Sequence, residues 1–359
     1  MSGRDDVRTM RAATFTDYGE PLEVQDVDGP SPDPDGVVVE IDACGVCRSD
    51  WHAWRGDWGE QFEPGHVFGH EPAGHVVAVG DEVQAVSEGD HVTVPFHLCD
   101  GTCQRCRNGH SNLCENGVNL GLEHGSMGAF AEQLSVPDAD HNVVTLPDGV
   151  SSIDMAGLGC RFMTAFHALN HQADVGGGDW VAVHGCGGVG LSAVHIADAL
   201  GANVIAVDLD DDKLEKAEEL GAAETINAGE AENVSGTVHA ISDGGAHVSL
   251  DALGIAETCT NSVMGLRPRG QHVQIGLTTA EEGGSIPLPT DLMVIQEIEF
   301  LGSFGMPAPR YDEIFRMIED GSIDPSAVVS GTIGIEDVSD TLFAMSDFET
   351  DGIPVVDHF

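Results

Sequence analysis

The chain has 359 residues, 41% of them hydrophobic, which is enough to bury a sizeable core and to divide into two domains rather than one. Lys and Arg number 14 against 61 Asp and Glu, giving a formal charge of −47 that is spread along the chain instead of gathered in a tail. That field excludes nucleic acid and anionic membranes as partners, and the recurrent Val/Ile/Leu/Ala segments exclude a disordered acidic chain.

What remains is an acidic folded surface, which repels itself unless salt screens it. The screening length falls to roughly 3 Å at about 1 M salt, so a salt-rich cytoplasm, as in extreme halophiles, is expected. The stretch Met1 to Met10 carries Arg4, Asp5, Asp6 and Arg8 with no apolar run, and no later stretch approaches about 20 apolar residues. Neither secretion nor membrane spanning is expected.

Residues 36 to 150 read as short apolar runs, such as Gly36 to Ile41, His75 to Val79 and His91 to Pro95, separated by Gly/Asp/Pro turns. This rhythm predicts an antiparallel β domain. From about 160 to 303 strands alternate with helices: Trp180 to His184, then Leu191 to Leu200, then Asn203 to Val207. Alternation of this kind predicts βαβ units and a parallel sheet. Gly201 and Gly221 supply C-terminal stop signals for helices over Leu191 to Leu200 and Asp211 to Leu220. Helix and short strands resume after Leu301, and Ile353 to Val356 is expected to return to the first domain.

The strand at 180 to 184 runs into Gly185-Cys-Gly-Gly-Val-Gly190, a GxGxxG turn followed at once by a helix. Gly185 permits the tight turn, Gly187 lets the backbone approach a pyrophosphate, and Gly190 lets helix and strand pack closely. The helix N-terminus then faces the phosphate charge. Asp208 ends the next strand about 20 residues on, where a carboxylate accepts hydrogen bonds from ribose hydroxyls and repels a 2′-phosphate, so NAD is favoured over NADP. FAD is a weaker competitor, because FAD turns usually open a chain and this one lies in its middle.

Nine cysteines, at 44, 47, 99, 103, 106, 114, 160, 186 and 259, suit metal binding better than disulfides. Cys99, Cys103, Cys106 and Cys114 put four thiols within sixteen residues, a spacing for a tetrahedral structural zinc that closes a loop. A CxxCxxC pattern would instead place the first ligand at Asp100, and either residue has a suitable donor. Outside that cluster lie Cys44, Cys47, Ser49, Asp50 and His52, then His70 and Glu71, then Cys160. Three separated donors with an open fourth position are the arrangement of a catalytic zinc, whereas Cys44 and Cys47 alone could be a CxxC redox pair.

The segments CGVCRSDWHAWRGDW (44 to 58), GHE (69 to 71), the cysteine lobe, GCRFMTAFHAL (159 to 169) and HGCGGVG (184 to 190) together resemble the zinc-containing medium-chain alcohol dehydrogenases. Their order and intervals hold over nearly the whole chain. The resemblance implies an α/β fold: a GroES-like β-rich catalytic domain, 1–161 and 304–359, with a Rossmann NAD-binding domain, 162–303, inserted into it and the active site in the cleft between them. It implies catalytic zinc on Cys47, His70 and Cys160, with Glu71 close behind as an occasional ligand. Asp50 would hydrogen-bond His70, and Ser49 and His52 would relay the alcohol proton. Arg48, Thr164, Gly185, Gly187, Gly188, Val189, Gly190, Asp208, Lys213 and Gly276 would contact the cofactor. Trp58 and Phe96, with Trp54 nearby, would line the substrate cleft, with packing as domain-core aromatics the alternative.

Two departures stand out. The first structural-zinc ligand is displaced to Cys99 or replaced by Asp100, and Gly352-Ile-Pro-Val lacks an arginine that many relatives place there, leaving more of the phosphate contact to Arg48. The implied reaction is reversible hydride transfer from a small or medium primary alcohol, with secondary alcohols as a further class, to NAD, in a homo-oligomeric dimer or tetramer. A sugar or polyol dehydrogenase of the same superfamily is the nearest rival, but many of those replace the third zinc ligand with Glu, where this chain has Cys160. A catalytically silent zinc- or NAD-binding protein is the alternative from another class.

Overall fold

A computed structural model describes residues 9–278, 282–346 and 352–359, so the amino-terminal Arg4, Asp5, Asp6 and Arg8 lie outside the described residues. The chain divides into two compact units: Met1–Cys160 with Met306–Arg316 and Val328–Phe359, and Arg161–Gly305 with Met317–Ala327.

The first unit is built on a seven-stranded sheet. Its order is Val329–Gly334, Ile353–His358, Val37–Gly45, Glu71–Val79, His91–Thr93 and Val144–Thr145, with Gln133–Val136 also paired to Val37–Gly45. Every pairing is antiparallel except that between Val329–Gly334 and Ile353–His358. The sequence runs at 36, 75 and 91 thus fall on neighbouring strands. The last strand does return to this unit, setting Val355 opposite Gly45 and Val356 opposite Cys44. Val37, Val39, Ile41, Val76 and Val92 are buried with Phe68 and Phe130 in one apolar core, each such side chain contributing about 1.5–3 kcal/mol on burial.

The second unit is a parallel sheet in the order Ala222–Asn227, Asn203–Asp208, Trp180–His184, Ala246–Asp251, Leu266–Gln274, Glu299–Gly302. Its strands Val181–Val183 and Val204–Ala206 are fully buried, as continuous apolar runs in a sheet covered on both faces must be. The order reverses beside Trp180–His184. In an open parallel sheet that reversal leaves a crevice at the carboxyl ends of the central strands, where ligands bind.

Helix Gly188–Ala199 begins three residues before the apolar periodicity suggested, inside the glycine turn itself. The next helix, Asp211–Glu219, is capped by the Asp210 carboxylate, which accepts from the Asp212 amide. Both helices end where a following glycine takes the left-handed backbone, at Gly201 (φ 82°) and Gly221 (φ 107°). Met317–Ala327 groups with this unit, and there the Asp324 amide donates to Nε2 of His195 at 3.2 Å.

Candidate functional site

Cys47 is the residue immediately before helix Arg48–Arg55, and the Asp50 carboxylate reaches back to accept its amide at 2.9 Å. The other Asp50 oxygen accepts from the Gly69 amide at 3.1 Å and lies 2.8 Å from Nδ1 of His70. Asp50 and His70 are both 0% exposed. One carboxylate therefore ties the helix start, the turn at 69 and the imidazole together. Burial alone would lower the His70 pKa, but the charge and hydrogen bond of Asp50 outweigh it and push the pKa well up. Nε2 of His70 is buried, with the Cys47 thiol beside it and no well-formed hydrogen bond among the described residues.

Glu71 opens strand Glu71–Val79, and its Oε1 accepts the Cys160 amide at 3.1 Å. Glycines on two sides make room for it. A Cβ at Gly45 would stand 2.0 Å from Glu71 Oε2, and one at Gly159 would stand 2.6 Å from Glu71 Cβ. Donor atoms of Cys47, His70, Glu71 and Cys160 all lie within 4.8 Å of one another. Two thiols, an imidazole nitrogen and a carboxylate in that space suit a tetrahedral zinc, and a buried nitrogen with only a thiol beside it is what a ligand position requires. The residues present fit the ion. Cys44, by contrast, is fully buried in strand Val37–Gly45, and burial with the nearby Asp50 charge pushes its thiol pKa well up. An inaccessible neutral thiol does not suit the CxxC redox pair that its spacing left open.

Ser49 and His52 stand three apart on helix Arg48–Arg55, on one face of its first turn. Nδ1 of His52 meets Asp57 Oδ2 at 2.7 Å, and the ring stacks on Trp58 at 5.6 Å with an interplanar angle of 26°. Asp57 was missed by sequence reasoning. The available signal was Gly56, whose φ of 78° ends the helix and folds the next residue back toward His52. The guanidinium of Arg48 bonds the Met345 carbonyl and lies 3.7 Å over the Trp51 ring. Phe96 is buried with its ring edge-on to His70 at 6.0 Å, and Trp58 is 40% exposed. Trp54 is 2% exposed, donates to the Glu20 carbonyl at 2.7 Å and packs on Phe343 in the core.

In the cysteine lobe, donors of Asp100, Cys103, Cys106 and Cys114 lie within 4.8 Å of one another. The sulfurs of Cys103 and Cys106 are 3.4 Å apart, those of Cys103 and Cys114 are 4.0 Å apart, and Cys114 Sγ is 3.3 Å from Asp100 Oδ1. A tetrahedral zinc with Zn–S bonds of about 2.3 Å sets its sulfurs roughly 3.8 Å apart, so the lobe also fits the ion. Amide hydrogen bonds from Cys106 and Glu115 lower the Cys103 thiol to about 7, toward the ligating thiolate. Cys99 is buried beside this group, its thiol in hydrogen-bond reach of Cys106 and its backbone bracketed by the Asn142 side chain.

In the parallel-sheet unit, Gly185 adopts φ 92°, and a Cβ at Gly190 would stand 1.7 Å from the Gly185 carbonyl. Packing alone demands those two glycines. At Gly187 a Cβ would meet no protein atom within 4 Å. A glycine there is explained by a ligand that must approach the backbone, so the turn fits a dinucleotide pyrophosphate. Gly188 backs onto the Arg161 side chain, Val189 follows it in the helix, and Gly276 packs on the backbone of Leu253 and Gly254. Thr164 is buried in helix Arg161–His167. Asp208 Oδ2 accepts the Cys186 amide at 2.6 Å and its Oδ1 accepts from Leu209 at 2.8 Å, so it also holds the glycine turn. Lys213 lies 3.9 Å from Asp210.

Residues 33–148 match the alcohol dehydrogenase GroES-like domain family, and residues 188–320 match the zinc-binding dehydrogenase family. The chain is 34% identical over 350 residues to an alcohol dehydrogenase of Moraxella sp., covering 97% of this chain and 99% of that protein. It is 30% identical over 356 residues to an NAD-dependent alcohol dehydrogenase of Sulfurisphaera tokodaii, covering 97% and 99%. The alcohol dehydrogenase TADH from Thermus sp. ATN1 superposes with a TM-score of 0.89 at 31% identity, over 98% of this chain and 100% of that one. This chain belongs to the zinc-containing medium-chain alcohol dehydrogenase family. It is an oxidoreductase of the alcohol dehydrogenase type.

Proposed function

We propose that this chain oxidises small or medium primary alcohols to aldehydes, reversibly, with zinc on Cys47, His70 and Cys160 and NAD on the Gly185–Gly190 turn. The observation that carries the reading is the convergence of those three donors and Glu71 within 4.8 Å, with Asp50 orienting the imidazole. Zinc, when bound, supplies a Lewis acid that acidifies an alcohol, and NAD supplies the hydride acceptor.

The chain's own residues position and move the proton. Asp50 holds Nδ1 of His70, which directs Nε2 toward the metal position. Ser49 Oγ would accept the alcohol proton while donating its own along the relay, and His52, braced at Nδ1 by Asp57, would take up a proton at Nε2 and release it to solvent. Trp58 and Phe96 supply the apolar substrate wall that favours an alkyl chain over a polyol. Asp208 selects against a 2′-phosphate while it anchors the glycine turn; the name of the Sulfurisphaera tokodaii relative agrees with NAD. Asp100 with Cys103, Cys106 and Cys114 would hold a second, structural zinc. We further infer two domains near 1–161 with 304–359 and 162–303, a homo-oligomer, and a salt-rich cytoplasmic setting for a surface of net charge −47.

The test is a steady-state screen of metal-quantified protein, at several salt concentrations, with ethanol to hexanol, sorbitol and glucose against NAD and NADP. Turnover of the alkanols with NAD is expected, with Ser49→Ala slowing it about 10²-fold or more. Preference for sorbitol or glucose would move the chain to the polyol enzymes. Zinc-reconstituted protein that turned over no alcohol would remove the catalytic reading altogether.

A further inference from the structure

A third group of metal-binding side chains lies on the outer face of the first unit's sheet. Strand alternation buries Ile41, Val76 and Val92 and turns Asp42, His75 and His91 outward on three adjacent strands. His75 and His91 are directly opposite in register, and their rings stack at 4.6 Å with an interplanar angle of 10°. Asp42 reaches them through an irregularity. The pairing with the neighbouring strand shifts between Ile41 and Ala43, so Asp42 has no cross-strand partner, and such a bulge re-aims a side chain. Its Oδ2 stands 2.7 Å from Nδ1 of His75. The strands come close here: a Cβ at Gly74 would lie 2.0 Å from the Glu40 carbonyl.

The hydrogen bonds dictate where the lone pairs lie. Ser152 Oγ donates its single proton to Asp42 Oδ2 at 2.9 Å, so it must accept from Nε2 of His91 at 2.7 Å. That makes Nδ1 the unprotonated nitrogen of a neutral His91. At His75 it is Nδ1 that faces Asp42 Oδ2, so an ion would take the place of the proton shared there and find Nδ1 of both histidines and the carboxylate as its donors. One donor atom from each of the three residues lies within 4.8 Å of the others. Donors on a tetrahedral ion with bonds of about 2.0–2.2 Å stand roughly 3.4 Å apart, so side-chain shifts of about 1 Å close the site.

We propose that Asp42, His75 and His91 form a further metal site that binds one divalent transition ion through two imidazoles and a carboxylate, with water completing the shell. Imidazole donors select nickel, copper or zinc over magnesium or calcium. The net charge of −47 concentrates divalent cations around the chain. A bound ion would clip three strands together, and through Ser152 also helix Ser152–Leu158.

The full chain, first brought to two zinc equivalents for the two cysteine-containing sites, is dialysed to equilibrium against nickel chloride and its metal content quantified. One saturable equivalent of Ni2+ beyond the zinc is expected. His75→Gln and His91→Asn should each weaken it about tenfold or more, and Asp42→Asn should weaken it too. His75 is 47% exposed at its side chain, so His75→Gln is a surface change that should keep near-UV dichroism and alcohol turnover unaltered. With Cu2+ as the probe, the electron paramagnetic resonance spectrum should show coupling to two imidazole nitrogens in the parent chain and to one in His75→Gln. No saturable nickel equivalent up to millimolar concentration, or an equivalent retained unweakened in His75→Gln, overturns the proposal and leaves the cluster as a purely structural hydrogen-bond network.

Discussion

Asp50 shows how one residue can serve geometry and chemistry at once. Its carboxylate takes the Cys47 and Gly69 amides and orients His70, so a substitution there is felt at two of the proposed zinc ligands. Asp50→Asn keeps the shape but loses the charge, and losses of this kind cost metal affinity about 10–100-fold. Release of zinc to a competing chelator should quicken accordingly, while alcohol turnover falls. Because two buried amides also lose a charged acceptor, the midpoint of thermal unfolding should drop as well, each weakened bond costing about 1–3 kcal/mol. Unchanged zinc retention in Asp50→Asn would show that His70 is held by other means. Asp50 and its target His70 were legible from the sequence through the order of motifs. Asp57 was not, since its approach to His52 depends on the left-handed turn at Gly56.

At the scale of elements, the cysteine lobe turns on a choice between two neighbours that spacing alone left open. The loop brings the Asp100 carboxylate beside Cys114, while Cys99 reaches only Cys106 with its thiol and has its backbone held by Asn142. Asp100→Ala should therefore lose one zinc equivalent per chain by metal analysis, and Cys99→Ala should retain it; the reverse pattern would return the ligand to Cys99. Strand Trp180–His184 carries a different liability. His184 is fully buried, its Nε2 lacks a hydrogen-bond partner, and burial followed by the nearby His272 depresses its pKa to about 3. An unfolded histidine takes a proton near pH 6.5. Above that value both states are neutral and His184 contributes no pH dependence. Below it the unfolded chain binds a proton that the folded chain refuses, so stability falls toward about pH 3, by roughly 1.4 kcal/mol per pH unit. Denaturant melts of His184→Leu between pH 4 and 7 should show a shallower loss than the parent, and identical slopes would refute the assignment.

Across the whole molecule the dominant quantity is charge, 61 acidic against 14 basic residues. The ion pairs of the surface cannot balance it. Arg11 with Glu336, Lys216 with Glu219 and Arg105 with Glu115 are exposed pairs, each worth at most about 1 kcal/mol. Most of the carboxylates can have no cationic partner, and they repel one another over about 10 Å at 0.1 M salt but only about 3 Å at 1 M. The unfolding midpoint should therefore climb steadily as KCl is raised over that interval, and activity lost on dialysis to low salt should return when salt is restored. A midpoint independent of ionic strength would remove the case for salt adaptation.

The sequence by itself determined the type of each unit, because side-chain period and glycine placement are local properties. Alternating runs made the antiparallel strands, buried apolar runs made the parallel ones, and Gly185 and Gly190 sit where no larger residue fits. It also pointed to Cys47, His70 and Cys160 as candidate metal donors, through the family resemblance of the short contiguous segments that carry them. What only the tertiary structure decided was which atoms of distant segments meet. The glycines at 45 and 159 open the space that Glu71 fills, Trp54 turns inward to the core, and the Asp100 carboxylate comes within 4.8 Å of the thiols of Cys103, Cys106 and Cys114. The strand bulge that carries Asp42 to His75 belongs with these. Such contacts depend on strand register and backbone handedness, where a shift of one residue reverses the direction of a side chain, and no local pattern records that shift.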